Sequence, residues 1–473
     1  MPDHANDELI RKLTTALGKS GVLTDPADRM AYESDWRGRY AGNAICVILP
    51  RSTQEVAQAV ALCAAAGASI VPQGGRTGLV GGAIPLAGEV VFSLERISAL
   101  RSIDPLGMTM AVDAGMTLGA ARAHAARHQL DLPVLIGSEG SAQIGGIIAT
   151  NAGGSNVLRH GMTRQRVTGL EVVLPDGRVW DGMRPVAKDN TGYALQQVFI
   201  GSEGTLGIVT GAVLQLVPAP KSVLTAFCPV ASIDAALSLL VKLRSSLPDA
   251  LVAFEYMNAA TVALISDQRP ELAAALALPG GPSACLLIEA EDFTGTEATQ
   301  DRLHDALVSG LERGEITDAL LAQSVAQREA FWAFREAISF AQNGLGHSVK
   351  NDVSVPIGSI PELLTRGSAL IAGICADAQP ICYGHLGDGN IHFNVSPASR
   401  DHADALRACE PAINAALADL AEGLGGSFSA EHGVGQAKRD SLARLRAGPE
   451  LEMMRRIKSA LDPQGLMNPG KLL

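Results

Sequence analysis

The stretch YGHLGDGNIHFNV, Tyr383 to Val395, sets His385 and His392 seven residues apart around Gly387-Asp388-Gly389. Ile391, Phe393 and Val395 alternate with His392 and Asn394, the period-two pattern of a strand with one apolar and one polar face. In a continuous strand the odd separation would put the two imidazoles on opposite faces. A reversal at the glycines instead brings both to one side. Converging imidazoles suit a divalent metal ion, with structural histidines as the competing reading. SAEHGVGQAKR adds a carboxylate at Glu431 after a strand-like GSFSA. Two histidines and a glutamate leave open positions on an ion, as a catalytic centre requires. His432 points the other way in extended chain and is available for proton transfer. Glu431 as the cap of the following helix is the alternative.

A second group could hold an anion. FWAFREAIS places Arg335 and Ser339 one helical turn apart on one face. SVKNDVSVP puts Lys350 at the head of a strand. An arginine grips a carboxylate with two parallel bonds, and a lysine adds a point charge. Solvated surface charges are the alternative reading. The net charge of −11 argues against nucleic acid as a partner, so an anionic substrate needs such a local basic cluster.

Three glycine loops call for a long ligand. PQGGRTGLVGG (Pro72 to Gly82) carries five glycines in eleven residues, directly after a strand. Successive backbone N–H groups there can point into one concavity and hold an anion. Neither the G-x-G-x-x-G dinucleotide fingerprint nor a GK[ST] phosphate loop is present, which argues against a nicotinamide enzyme. IGSEGSAQIGGIIATNAGG (Ile136 to Gly154) and IGSEGTLGIVT (Ile200 to Thr210) follow, with GSEG repeated at Gly137 and Gly201. Three such loops suit a phosphate-bearing cofactor lying across one domain; turns of a tightly packed sheet are the bland alternative.

The elements that must position these groups are legible in outline. A chain of 473 residues calls for two or three domains. Asp7 to Leu17 reads as an amphipathic helix. AICVILP is a strand, STQEVAQAVALCAAAG a helix capped by Ser52 and Gly67, and ASIVP a strand. LEVVLPDGRVW and GIVTGAVLQLVPAP close this region, and Pro218 and Pro220 mark a boundary. Beyond it, helices such as DAALSLLVKLRSSL alternate with strands such as ACLLIEAE, an α+β pattern with a helix-backed antiparallel sheet. The expected domains are 1–217, 218–425 and a closing segment 426–473 made of a strand, a glycine-rich turn and a helix. Seven scattered cysteines without CxxC spacing read as reduced thiols of a cytoplasmic protein. No apolar run has the length of a membrane span, and the polar N-terminus lacks a signal peptide's core.

The order PxGGxTGLxGG, GSxGS…IGG…TNAGG and GSEGTLGIVT resembles the FAD domain of the vanillyl-alcohol-oxidase-type flavoproteins. The resemblance covers roughly Ile45 to Val217 and implies a two-subdomain FAD fold. It implies cofactor contacts from Pro72, Gly74, Gly75, Arg76, Thr77, Gly78, Gly81 and Gly82 in the first loop. In the second they come from Gly137, Ser138, Ser141, Gly145, Gly146, Thr150, Asn151, Gly153 and Gly154. Glu203, Gly207 and Ile208 in the third loop and Asn468 near the end complete the set. Some relatives link flavin to a histidine of the first loop; Gly75-Arg76-Thr77 has none, so the FAD is expected to be non-covalent.

GHLGDGNIHFNV, EHGVGQAKR and DPQGLMNPGKLL resemble the cap and C-terminal segments of FAD-linked D-2-hydroxy acid dehydrogenases. That resemblance implies His385, His392 and Glu431 as ligands of a divalent metal, zinc or manganese. It implies Asn394 as a substrate contact and His432 as the base. The pattern R-E-x-I-[ST]…K-x-D-[VL]-S-[VL]-P is closer to the D-2-hydroxyglutarate than to the D-lactate dehydrogenases, with Arg335, Ser339 and Lys350 on the substrate's carboxylates. Ser339 stands where the best-known members have threonine. The expected electron acceptor is an electron-transfer flavoprotein or a quinone, and a homodimer stays open as the assembly. The competing functions are a D-lactate dehydrogenase, a flavin subunit of a glycolate oxidase, and a flavin-free metallohydrolase.

Overall fold

A computed structural model describes residues 2–276 and 283–473. The chain divides into two compact units: residues 1–153, 161–219 and 431–473 form the first, and 154–160 with 220–430 the second. The main junction between the two units in sequence falls at 219/220. The closing segment begins at 431 rather than 426, and the short stretch 154–160 belongs with the second unit.

In the first unit a four-stranded sheet runs Val22–Leu23, Asn43–Ile48, Ala87–Ser93, Ile70–Gln73. The last three strands are parallel. Helix Thr53–Ala66 connects two of them: the Ser52 hydroxyl accepts the Glu55 N–H at 3.2 Å, and Gly67 ends it at φ +66°. The N-terminal helix Pro2–Leu17 buries Leu9, Leu13 and Leu17, a 3.6-residue stripe. A second, antiparallel sheet has the order Leu100–Asp104, Thr109–Asp113, Ile208–Gln215, Val167–Val173, Val179–Gly182. The C-terminal segment returns to the first sheet, where Asn468 donates its N–H to the Ile70 carbonyl at 2.7 Å.

The second unit is built on a seven-stranded antiparallel sheet. Its order is Leu320–Leu321, Ser222–Pro229, Cys285–Asp292, Leu251–Met257, Ala378–His385, Asn390–Pro397, Asp352–Ser354. Both faces are covered. Ala226, Cys228, Leu286, Ile288, Cys382 and Phe393 pack into one core with the helices Ile233–Ser246, Ala298–Glu312, Ile360–Ile374 and Ala403–Gly423. Their neighbours Phe227, Cys285, Leu287, Met257 and Tyr383 pack into another with helix Val325–Asn343. Strict alternation therefore assigns Glu255, Tyr383, His385, His392, Asn394 and Asp352 to the face under that helix.

The strand expected after Ser427 does not form; Ser427 makes an isolated bridge to Ser354. The helix after Glu431 starts only at Arg439, so Glu431 is not its cap. All seven cysteines are free and six are buried. Among the described residues no helix is long and apolar enough to cross a membrane.

Candidate active site

The three glycine loops lie in the first unit, except for Gly154 at the end of the second loop, which is grouped with the second unit. Gly75 packs so tightly on the second loop that an added Cβ would sit 2.0 Å from the Ser141 carbonyl oxygen. By contrast, a Cβ on Gly78, Gly137, Gly140 or Gly146 would meet no protein atom within 4 Å. Packing does not require glycine there, and a ligand lying close along the backbone would. Arg76, Asn151, Glu203 and Asn468 all hold positive φ (56°, 49°, 51°, 45°), four of the seven non-glycine residues described in that region. Such strain concentrates where a ligand is clamped.

Asn468 donates its side-chain N–H to the Gly82 and Glu203 carbonyls at 3.0 and 2.7 Å, tying the first loop to the third. Its Oδ1 and the Oε1 of Gln143 are buried acceptors with no partner. Glass-tight loop contact, open glycine backbone and orphaned acceptors together fit an FAD cradle. The Glu203 carboxylate is occupied otherwise: it accepts the Val434 and Gly435 N–H groups, each at 2.7 Å, just beyond His432. Burial pushes its pKa up, with the two amides pulling the other way. The Arg76 guanidinium stacks 4.8 Å over Tyr32.

A Gly75→Ala substitution must part the first two loops, and overpacking of this kind costs about 1–3 kcal/mol. The variant is expected to purify with most of its flavin lost, read as the ratio of flavin to protein absorbance. Full occupancy would mean that the contact with Ser141 does not shape the cradle.

On the second unit's sheet, the hairpin turns at Gly387-Asp388-Gly389 and brings the rings of His385 and His392 to 5.6 Å between centroids. Gly389, at φ +90°, leaves no room for a Cβ, which would lie 2.4 Å from the Val355 carbonyl oxygen. His385 Nδ1 is hydrogen-bonded to the Oε1 of Glu255, its cross-strand partner. Oε2 of Glu255 accepts from Arg335, at 2.9 Å from Nε and 2.8 Å from the second guanidinium nitrogen. Burial alone would raise the Glu255 pKa, but the charges and hydrogen bonds of His385 and Arg335 outweigh it and hold the carboxyl at about 2.

One polar network then gathers the four expected substrate residues. Arg335 lies 4.6 Å over the Tyr383 ring, and Ser339 is hydrogen-bonded to the Tyr383 phenol. Asn394 donates to that phenol and to Gln342 Oε1, both at 3.0 Å, and Lys350 Nζ donates to the same Gln342 oxygen. Burial raises the Tyr383 pKa, with the Arg335 charge opposing it. Gln342 and Tyr383 escape a reading of the sequence as motifs. Their signals are modest: Gln342 follows Arg335 and Ser339 on one helical face, and Tyr383 precedes His385 by two on its strand.

Asp352 is a further addition. It is fully buried, its Oδ1 accepts from Asn390 Nδ2 at 2.8 Å, and His392 Nδ1 lies 3.5 Å away. The Ala430 N–H donates to the Asp352 carbonyl at 3.3 Å, so Glu431 and His432 are the residues that follow directly as the chain leaves this strand. In the sequence Asp352 is marked by its alternation with Val353 and by its place as the aspartate of the pattern K-x-D-[VL]-S-[VL]-P, neither of which gives it a role.

A family model described as an FAD binding domain matches residues 44–182, and one described as the C-terminal domain of FAD linked oxidases matches 219–472. A D-2-hydroxyglutarate dehydrogenase of Xanthomonas citri pv. viticola is 37% identical, covering 98% of this chain and 97% of its own. The mitochondrial D-2-hydroxyglutarate dehydrogenase of Bos taurus is 36% identical over 96% of this chain and 81% of its own. Among solved structures, p-cresol methylhydroxylase with substrate bound aligns at a TM-score of 0.78 and 15% identity, over 99% of this chain and 97% of that one. That likeness shows the fold, the vanillyl-alcohol-oxidase type expected from the loops. A flavin-free hydrolase is set aside by the match at 44–182. Matched by family models through both units and by enzymes along nearly its whole length, the chain belongs to the FAD-linked oxidases.

Proposed function

We propose that this enzyme oxidises D-2-hydroxyglutarate to the 2-oxo acid. The observation that carries the reading is the buried network joining Arg335, Ser339, Lys350 and Asn394 through Gln342 and Tyr383. Two cationic side chains, one on the helix that covers this sheet face and one in the connection leading into its edge strand, suit a substrate with two carboxylates in a protein of net charge −11. Relatives named as D-2-hydroxyglutarate dehydrogenases support the same substrate.

FAD, held without a covalent bond, supplies the hydride acceptor. A divalent ion, zinc or manganese, would supply positive charge to the substrate's hydroxyl and α-carboxylate and so lower the hydroxyl pKa. The side chains expected to hold it are His385, His392 and Glu431; among the described residues the ligand atoms that lie within 4.8 Å of one another are those of Asp352, His392, Glu431 and His432, a group that adds Asp352 and does not include His385. His432 takes the hydroxyl proton at an imidazole nitrogen. Arg335, Ser339, Lys350 and Asn394 bind and orient the carboxylates, which removes much of the entropy of alignment before reaction. Electrons leave to an electron-transfer flavoprotein or a quinone. Free, mostly buried thiols fit a cytoplasmic setting.

The test is a panel of D-2-hydroxy acids with an artificial dye acceptor, run on the wild type and on Lys350→Ala. Removing one partner of a buried charged contact costs about 2–5 kcal/mol, so kcat/KM for D-2-hydroxyglutarate should fall roughly 30-fold or more. The loss for D-lactate, which has one carboxylate, should be smaller. Equal losses for the two acids would remove the dicarboxylate assignment.

A further inference from the structure

We propose that Glu255 is a positioning residue that sets two things at once: the affinity of the site for a divalent ion and the aim of the substrate-binding guanidinium. The inference rests on the reading above and adds a residue to it. Glu255 stands on the strand Leu251–Met257, and His385 is its direct partner on the strand Ala378–His385. The two oxygens of this carboxylate, buried at 0% exposure, are divided between two partners. Oε1 is hydrogen-bonded to His385 Nδ1, where an ionised carboxylate can only accept, and Oε2 accepts the Arg335 Nε–H with a terminal guanidinium nitrogen 2.8 Å away.

Each arm has a chemical consequence. With its proton held at Nδ1, His385 carries its lone pair at Nε2, the tautomer a metal ligand needs, and the ring cannot rotate away. With Nε and one terminal nitrogen held by Glu255, Arg335 is kept in place 4.6 Å over the Tyr383 ring, which limits the directions open to its remaining N–H groups. Fold stability does not require a carboxylate at such a place. Replacing a buried ion pair by well-packed apolar groups is often neutral or stabilising. What no apolar side chain can do is fix a tautomer and a guanidinium plane together.

The experiment uses the purified flavoprotein, freed of metal by a chelator and titrated calorimetrically with Zn²⁺ and, in parallel, Mn²⁺. Steady-state kinetics with D-2-hydroxyglutarate follow on the reloaded protein. Glu255→Gln keeps the shape but loses the charge and one acceptor. It should weaken ion binding roughly 10- to 100-fold. It should also raise KM for D-2-hydroxyglutarate several-fold, while the flavin absorbance stays in place. Glu255→Asp keeps both acceptors on a shorter arm and should fall between Gln and wild type on both readouts. If Glu255→Gln does not purify with flavin, the Asp variant alone decides, since a wild-type ion affinity and KM there would overturn the inference. Ion affinity unchanged in either variant removes the His385 arm, and KM unchanged removes the Arg335 arm. A wild type that binds neither ion would defeat the underlying metal reading instead, and the two failures are told apart by that first titration.

Discussion

His432→Ala is expected to leave the flavin bound and to cut turnover by about two or more orders of magnitude, the usual contribution of a placed general base. The scaffold around His432 explains why the loss should be clean. Two and three residues further on, Val434 and Gly435 are clamped by the Glu203 carboxylate. Gln436 then donates its side-chain N–H to the Gly81 carbonyl at 2.8 Å, and Leu472 donates its N–H to Gly435 at 3.0 Å. None of these bonds uses the imidazole, so its removal leaves the segment anchored. Because His432 is also of metal-ligand type, the variant's ion content should be measured beside its kcat. Turnover lost with the ion retained assigns the base; ion and turnover lost together assign a ligand instead. Undiminished turnover removes His432 from the mechanism altogether.

How far such a site can be read without coordinates depends on the range of its interactions. The glycine loops, the Ser52 and Gly67 caps and the hairpin at Gly387-Asp388-Gly389 are encoded within a few residues, and they form as the local chemistry dictates. Helix Val325–Asn343 likewise places Arg335 and Ser339 on one face. Glu255 is different. It is an ordinary strand glutamate in the sequence, and only the pairing with His385, 130 residues away, makes it a keystone. Asp352 and Gln342 are hidden for the same reason, since the order of the seven strands decides what they face. Period two places His392 and Asn394 on a polar face. That face is in fact buried beneath a helix, which is why its polar groups are so fully hydrogen-bonded to one another. The missing strand after Ser427 has a further cause: GSFSA meets the sheet edge at Ser354 and no ladder continues.

The second large effect concerns the ion. Treatment with a strong chelator is expected to abolish turnover while the flavin absorbance is unchanged, and adding back Zn²⁺ or Mn²⁺ should restore it. The first half follows from the charge required. A hydroxyl proton near neutral pH is too tightly held for an imidazole to take unaided, and a bound dication would supply the positive charge that lowers the hydroxyl pKa. The second half follows from the separation of duties along the chain. The loops fitted to FAD run through 72–82, 136–154 and 200–210, whereas Asp352, His385 and His392 sit on strands of the other unit's sheet, and Glu431, although part of the first unit, lies outside all three loops. No residue of the metal set belongs to a glycine loop, so stripping the ion leaves the cradle's own contacts, Gly75 on Ser141 and Asn468 on Gly82 and Glu203, untouched. Flavin lost in step with the metal would contradict that separation. Full activity in protein shown by elemental analysis to be metal-free would remove the ion from the reaction, and with it the reason for two imidazoles around one turn.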